Sequence, residues 1–180
     1  MIYSLNEVYF RVLLPADLEP LRQMHNDPTT LLMLTDTTIV TKSMQKKWYL
    51  NLKKSAKSKR YSFCAKLQGK EVLLGMIRFD QIDTINHNML VGLDIIPVYR
   101  GQGFGKLGFK LILSYCFKIL KMHKVSLYTA SYNKVAIGLY KKFGFKIEGV
   151  LREHLFRGIE YNDLYVMALF NRDYLGRAKK

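Results

Sequence analysis

A glycine-rich loop between a strand-like run and a helix-like run restricts the fold of this chain more than any other feature. Residues 100–106 read Arg-Gly-Gln-Gly-Phe-Gly-Lys, directly after the strand-like run 89–96 and before an amphipathic run that ends near Met122. Glycine lets a backbone turn tightly and lets a ligand approach it closely. A helix N-terminus adds unpaired N–H groups and the positive end of the helix dipole. The loop therefore predicts a cradle for the phosphate oxygens of a ligand.

Positive charge is concentrated around this loop. The chain has a net charge of +15, and the segment from Ile95 to Ile147 contains ten lysine or arginine residues but no aspartate or glutamate. Such a field attracts a polyanionic ligand, although solvated lysines on a generally basic protein would give the same composition.

Size and composition point to one folded domain over residues 1–180. A chain with 49% hydrophobic and 13% aromatic residues is too apolar for a disordered protein. No apolar run approaches the roughly 20 residues of a membrane span, and residues 1–10 do not resemble a secretory signal. Cys64 and Cys116 lie far apart, without metal-ligand spacing. We therefore expect buried free thiols, no metal, no membrane association and a cytoplasmic location.

Hydrophobic periodicity predicts seven strands and four helices. They mix without strict alternation, which favours an α/β (α+β) domain with a mostly antiparallel, mixed central sheet flanked by helices. The predicted strands cover residues 8–14, 61–67, 71–79, 89–96, 124–131, 145–156 and 164–170. The predicted helices cover residues 17–26 with Asp17 as the cap, 43–54, 103–122, and a short helix that Asn133 caps and Gly144 ends.

Two nucleotide-binding alternatives are excluded by the surroundings of the loop. Residues 103–108 match the letters G-x-G-x-x-G of dinucleotide-binding folds. Those folds need an acidic residue roughly 20 positions later to hold the ribose, and this chain has none up to Ile147. Several predicted strands also precede the loop. A Walker A loop is excluded because no Gly-Lys-Ser/Thr is present.

The loop and its neighbours together resemble the GNAT superfamily of N-acetyltransferases. Arg100-x-x-Gly103-x-Gly105 resembles its (Q/R)-x-x-G-x-(G/A) signature, and residues 92–99 are similar to its fourth strand. Residues 133–145 are similar to its N-x-x-A-x-x-L-Y-x-x-x-G-F segment. Residues 148–153, followed by Asn162-Asp163, resemble the branch that acetylates ribosomal-protein N-termini and polyamines. The resemblance extends over nearly the whole chain.

This resemblance implies acetyl-coenzyme A (acetyl-CoA) as cosubstrate. In the family, strands 4 and 5 splay apart, the freed backbone of strand 4 pairs with the pantetheine arm, and the loop backbone binds the pyrophosphate. Lys134, Lys141 and Lys142 are candidates for contacting the 3′-phosphate. The cofactor-binding residues implied here are Leu93, Asp94, Ile95, Arg100, Gly101, Gln102, Gly103, Phe104, Gly105, Lys106 and Asn133.

The resemblance also assigns a catalytic role to Tyr140. In the family, a tyrosine at this position donates a proton to the leaving thiolate, and a phenol with a pKa near 10 suits that task. Without the resemblance, Tyr140 would be interpreted as an aromatic core residue. Many relatives use a strand-5 glutamate as the base, but Tyr128 stands at that position. A base would have to be Asp94, Glu148, His87 or a water chain.

The acceptor is not fixed by these motifs. Because a basic protein repels a polycation, a ribosomal-protein-type N-terminus comes first, with possible ribosome association. A nucleotide-linked amino sugar comes next and spermidine last, and the enzyme would be a monomer or homodimer. Two other classes stay open, a nucleic-acid-binding module and a CoA-binding protein without catalysis. The first lacks any RNP-like, zinc-finger or helix-turn-helix pattern.

Overall fold

The computed structural model describes residues 2–52 and 54–178, and within them eight strands form one sheet in the order β1-β2-β3-β4-β5-β6-β8-β7. All neighbouring strands are antiparallel except β5 and β6, which are parallel. The predicted α/β domain with a mostly antiparallel, mixed sheet is therefore confirmed. The strands are β1 Tyr3–Leu5, β2 Val8–Val12, β3 Lys59–Leu67, β4 Lys70–Asp83, β5 Asn88–Ile95, β6 Lys124–Ala130, β7 Lys146–Arg157 and β8 Glu160–Phe170.

Six α-helices flank the sheet in the part of the chain that the structure describes. The fourth continues as a π-helical turn over Tyr115–Ile119, so the long predicted helix ends near its expected position. None of these helices is both long and apolar enough to span a bilayer. The helices are α1 Leu18–Asn26, α2 Pro28–Leu31, α3 Lys42–Leu52, α4 Phe104–Ser114, α5 Lys134–Phe143 and α6 Asn171–Ala178.

Three elements were not predicted from the sequence: β1, α2 and α6. The Asn26-Asp27-Pro28 run predicts a stop, and α1 does end there. However, the Asp27 carboxylate accepts hydrogen bonds from the N–H groups of Thr29 (3.0 Å) and Thr30 (3.1 Å) and so begins α2. The predicted helix over 43–54 corresponds to α3, and Lys53 lies outside the described residues.

The two faces of the sheet carry different helices. On one face, Ile77 and Phe79 of β4 belong to the main core together with Phe109 and Ile112 of α4. On the other face, Met76 packs with the α1 cluster that includes Leu21. Because side chains alternate along a strand, each residue of β4 and β5 is assigned to one of these faces. The sheet thus separates an α4 side from an α1–α3 side.

Both cysteines are free and buried, as predicted. Burial raises the pKa of the Cys64 thiol to about 12, and it also raises the pKa of Cys116. Both side chains are therefore protonated at neutral pH and serve as core residues.

The strands β5 and β6 diverge after a short paired stretch. They pair only at Asn88↔Lys124, Met89↔Val125 and Leu90↔Ser126. Beyond Leu90, β5 keeps its antiparallel partner β4 as far as Ile95, while β6 keeps β8. Beyond this paired stretch, the edges of β5 and β6 that face each other are free of ladder hydrogen bonds. These strands are the fourth and fifth of the predicted strands, so their predicted splay is confirmed.

Candidate active site

A cleft of about 560 Å³ opens where β5 and β6 diverge. Its walls come from β4, β5, β6, α5, the glycine loop and a segment over residues 29–35, which we call the acceptor-side segment. Backbone amides and carbonyls on free strand edges are strong hydrogen-bonding groups that seek partners. Within the described ranges, no group of three His, Cys, Asp or Glu side chains is placed to hold a metal ion.

The glycine loop forms one end of the cleft. Gly101 and Gly103 have φ values of 74° and 86°, in the left-handed region that other residues rarely adopt. A Cβ atom added to either glycine would meet nothing within 4 Å, so open space lies beside both. Gly103 occupies the N-cap position of α4 and has no side chain that could cap the first turn. The start of α4 can therefore direct its N–H groups at an anion.

The side chains of this loop contact the protein. The Arg100 guanidinium donates to the Ile95 carbonyl (2.9 Å), to Thr29 Oγ1 (2.7 Å) and to Thr30 Oγ1. Gln102 Nε2 donates to the Val98 carbonyl (2.8 Å). The loop therefore offers an anion its backbone, while Arg100 ties it to α2.

The other predicted cofactor-binding residues lie on both sides of the opening. Leu93, Asp94, Ile95, Gly101 and Gly105 line the cleft together with Arg100 and Asn133. At the N-terminus of α4, the Phe104 ring packs edge-on against Tyr99, with 6.3 Å between ring centroids, and Lys106 donates its backbone N–H to the Gly103 carbonyl (3.0 Å). The predicted residues of β5, Asn133, and Arg100, Gly101 and Gly105 of the loop therefore line the cleft. Gln102, Gly103, Phe104 and Lys106 do not line it.

Two predicted residues on α5 face the cleft from the β6 side. Asn133 Oδ1 accepts a hydrogen bond from the Ala136 N–H (3.2 Å), which makes Asn133 the cap of α5 as predicted. Tyr140 is half-buried, and its ring lies 4.9 Å from that of Phe109 and 5.9 Å from that of Phe145. Tyr140 therefore packs against the core and also borders the cleft.

The surroundings of Tyr140 keep its hydroxyl protonated. Burial, reinforced by the negative charge of Asp94, raises the pKa of Tyr140 to about 12, and Arg78 opposes this effect. A phenol with such a pKa is a proton donor at neutral pH. Because Tyr140 lines the cleft from α5, its hydroxyl suits protonation of a leaving group held there.

Only one of the three residues considered as a base, Asp94, lines the cleft. Its Oδ2 lies 2.8 Å from Arg78 Nε. Glu148 instead pairs with Lys124 (3.2 Å), at the end of the sheet where β5 and β6 are still joined. His87 precedes β5 at that same closed end. Tyr128, at the position of the family's glutamate, lines the cleft and is 45% exposed.

Sequence reasoning missed the charged residues of β4 and the acceptor-side segment. Arg78 and Asp80 both line the cleft, and Asp80 pairs with Arg60 at 2.8 Å. The alternation of these polar residues with the buried Ile77 and Phe79 was a signal that could have found them. The acceptor-side segment carries no comparable signal, because its position depends on distant partners. Its carbonyls at Leu32 and Leu34 accept hydrogen bonds from Tyr132 and Arg157 respectively.

Comparison with known proteins identifies a family for this arrangement. The family described as "Acetyltransferase (GNAT) domain" matches residues 7–146. A spermidine N(1)-acetyltransferase of Vibrio cholerae serotype O1 is 33% identical over 107 residues, which are 59% of this chain and 62% of the relative. The corresponding enzyme of Escherichia coli K12 is 30% identical over 105 residues, 58% of this chain and 56% of the relative. The matched part thus spans about three fifths of each relative's length.

The fold is also that of a solved relative. A crystal structure of spermidine N-acetyltransferase from Vibrio cholerae, in complex with CoA and spermine, superposes with a TM-score of 0.87 at 24% identity. The match covers 95% of this chain and 99% of that one. At this identity the likeness establishes the shared fold.

Proposed function

Because the chain belongs to the GNAT acetyltransferase family, we propose that it transfers an acetyl group from acetyl-CoA to a primary amine. One observation carries the proposal: Tyr140, whose pKa is raised by burial to about 12, borders a cleft between two splayed strands, and the glycine loop before α4 borders the same cleft. The arrangement contains a place for a thioester, a proton donor for its sulfur, and open access for an amine.

Acetyl-CoA would lie along the free edge of β5. The backbone of Leu93, Asp94 and Ile95 would pair with the pantetheine amides as an added strand does. The pyrophosphate would reach the loop from Gly101 to Lys106, where the left-handed glycines leave open space. The basic, acid-free segment from 95 to 147 provides the complementary charge for this anion.

The transfer step then needs few groups from the protein. The amine nitrogen bonds to the thioester carbonyl carbon, the carbon–sulfur bond breaks, and Tyr140 gives its proton to the departing thiolate. The attacking amine is neutral, and its nitrogen loses one proton in the same reaction. Asp94 is the candidate to accept that proton, because it lines the cleft and the other two residues considered, Glu148 and His87, do not. Holding the two reactants together contributes much of the acceleration in such reactions.

A polyamine is the acceptor that the comparisons support best. Two relatives and the solved structure act on or bind spermidine or spermine. On net charge alone, a protein N-terminus would precede a polyamine. The two carboxylates that line the cleft, Asp80 and Asp94, are each paired with an arginine, so the local charge does not favour a polycation and the ranking follows the similar proteins. We therefore place spermidine first and an α-amine second.

An amine panel tests the proposed function directly. Thiol release from acetyl-CoA is followed with spermidine, an alanine-starting peptide and a UDP-linked amino sugar, and the acetylated product is identified by mass spectrometry. Amine-dependent release with any of them supports an acetyltransferase. CoA binding without release for every amine would instead indicate a non-catalytic CoA-binding protein, and failure to bind CoA would contradict the assignment of the cleft.

Substituting Gly101 with alanine is expected to weaken CoA binding by about tenfold or more, a change of about 1.4 kcal/mol. The new Cβ would enter the open space where we place the pyrophosphate, and the left-handed backbone would be strained. Gly69→Ala is a matched control because Gly69 has a similar φ (77° against 74°), equally open surroundings and a hairpin position away from the cleft. Calorimetric titration with CoA measures both variants. Equal CoA affinities in the two variants would contradict the proposal that the glycine loop binds the pyrophosphate.

A further inference from the structure

Arg78 lies in the middle of β4 and lines the cleft. It pairs with Gly92 across the β4–β5 ladder, while Met76 pairs with Asp94. Directly paired residues share a face of the sheet. Since Met76 packs with the α1 cluster, Arg78, Gly92 and Asp94 all lie on the α1–α3 side. An acceptor entering from that side meets Arg78 and Asp94 together.

The absence of a side chain at Gly92 makes room for the guanidinium. A Cβ atom on residue 92 would lie 2.7 Å from Arg78 Nη2 and 2.8 Å from its Cζ. Real Cβ atoms do not approach other atoms so closely, so the guanidinium rests directly on the backbone of β5. The position of Arg78 is therefore set by a partner strand as well as by its own.

The guanidinium is only partly satisfied by the protein. Arg78 Nη2 donates to Asp94 Oδ1 at 3.3 Å. Its Nε lies 2.8 Å from Asp94 Oδ2, yet that N–H is not aligned for a hydrogen bond, and the atom is buried without an acceptor among the described residues. The Nε atom is therefore shielded behind Asp94, whereas the Arg78 side chain as a whole is 35% exposed and can meet a ligand through the rest of its guanidinium.

The paired charges also set what this wall of the cleft attracts. Asp94 is neutralised by Arg78, and Asp80 by Arg60, with 2.8 Å between charged atoms in each pair. Both Asp94 oxygens face Arg78, and the Asp94 side chain is only 14% exposed, whereas that of Arg78 is 35% exposed. An acceptor at this wall therefore meets the guanidinium more than the carboxylate, and an ammonium that it carries there is repelled.

We propose that Arg78 discriminates between acceptor classes and weakens the preference for a polyamine that the similar proteins suggest. Its guanidinium disfavours an amine that carries a second ammonium nearby, as a polyamine does. It favours an α-amine whose neighbouring carbonyl or carboxylate oxygen can accept a hydrogen bond from the exposed part of the guanidinium. The inference rests on the proposed function and assigns Arg78 as a specificity-determining residue.

The ratio of kcat/KM for spermidine to kcat/KM for alaninamide measures this discrimination. In Arg78→Met, which keeps the length of the side chain and removes its charge, the ratio is expected to rise about tenfold. Arg172→Met removes the same charge from a residue beside Phe170, and its ratio should equal that of wild type. A loss of activity that is equal for both amines in Arg78→Met would overturn the proposal.

Gly92→Ala provides a second test that removes no charged group. Its Cβ would push the flexible end of Arg78 out of position, and the ratio should move in the same direction as in Arg78→Met. Gly149→Ala is the matched strand control, since a Cβ there makes only ordinary contacts at 3.9 Å. An unchanged ratio in a folded Gly92→Ala would count against the positioning argument.

The test also separates this proposal from the proposed function. If wild type released no thiol with either amine, the proposed function would fail. The affinities of spermidine and alaninamide for the CoA-loaded protein would then replace kcat/KM, and the same tenfold change in their ratio is expected. Equal affinity ratios in wild type and Arg78→Met would contradict the role of Arg78 in discrimination, whether or not the protein is active.

Discussion

The Tyr140→Phe variant is expected to lower kcat for acetyl transfer by about a hundredfold or more, the usual contribution of a positioned general acid. The substitution removes the hydroxyl and keeps the ring, so packing against Phe109 and Phe145 is preserved. CoA affinity and the free energy of unfolding should therefore be nearly unchanged. Stopped-flow measurement of thiol release, together with CoA titration, distinguishes lost proton transfer from lost binding.

A matched control for this variant is Tyr161→Phe, because Tyr161 is 66% exposed in the β7–β8 hairpin. The pH dependence provides a second readout. Since burial and Asp94 raise the pKa of Tyr140 to about 12, deprotonation of this phenol should not reduce the wild-type rate below about pH 11. An unchanged kcat in Tyr140→Phe would remove Tyr140 from the mechanism, whereas a loss of rate that starts near pH 9 in wild type and is absent in Tyr140→Phe would contradict the raised pKa.

The parts of the site that were predictable from the sequence are those built by consecutive residues. The left-handed glycines at 101 and 103 and the Asn133 cap act within their own turn. A short motif is enough to specify each of them. The position of Tyr140 follows in the same way, because it lies on the helix that Asn133 begins. Of these residues, Gly101, Asn133 and Tyr140 line the cleft.

The wall of the cleft formed by β4 and residues 29–35 depends on contacts between distant residues. Arg100 and Thr29 are 71 residues apart, and Tyr132 and Leu32 are 100 apart. No local pattern encodes such partners, because each hydrogen bond exists only after the sheet has formed. The pairing of Arg78 with Asp94 across two strands is of the same kind. For this reason the sequence predicts the glycine loop and the α5 side of the cleft better than the wall formed by β4 and residues 29–35.

Asp17 illustrates how tertiary contacts can replace a predicted local role. It occupies the N-cap position of α1, as expected, but makes no side-chain hydrogen bond to that helix. Its carboxylate instead receives both Arg11 Nη1 (2.6 Å) and Arg11 Nη2 (3.0 Å), together with the Ser62 hydroxyl (2.6 Å) and the Leu14 N–H (2.8 Å). Asp17 thus joins the start of α1 to β2 and β3.

The Asp17→Asn variant is expected to reduce the free energy of unfolding by about 3 kcal/mol, the lower end for removing one partner of a buried ion pair. Asp17 and Arg11 are only 6% and 12% exposed at their side chains, so little solvent screens the charge left behind. The loss stays at the lower end because Glu71 still pairs with Arg11 at 2.8 Å. Urea unfolding measures the change. Glu19→Gln breaks a more exposed pair with Arg22, which solvent screens, and should destabilise the protein much less than Asp17→Asn.

The same ion pair should make stability depend on acidity in a defined direction. Burial acts to raise the pKa of Asp17, but the hydrogen bonds from Arg11, Ser62 and the Leu14 N–H outweigh it and lower the pKa below its ordinary value. The stabilisation is therefore complete above the unfolded-state pKa, about 3.9, and is lost as pH falls through the lower folded-state pKa. The difference in unfolding free energy between wild type and Asp17→Asn should consequently be constant from pH 6 to 8 and shrink below about pH 4. A difference that grew on acidification would show that the Asp17 carboxylate is not held as an anion by Arg11.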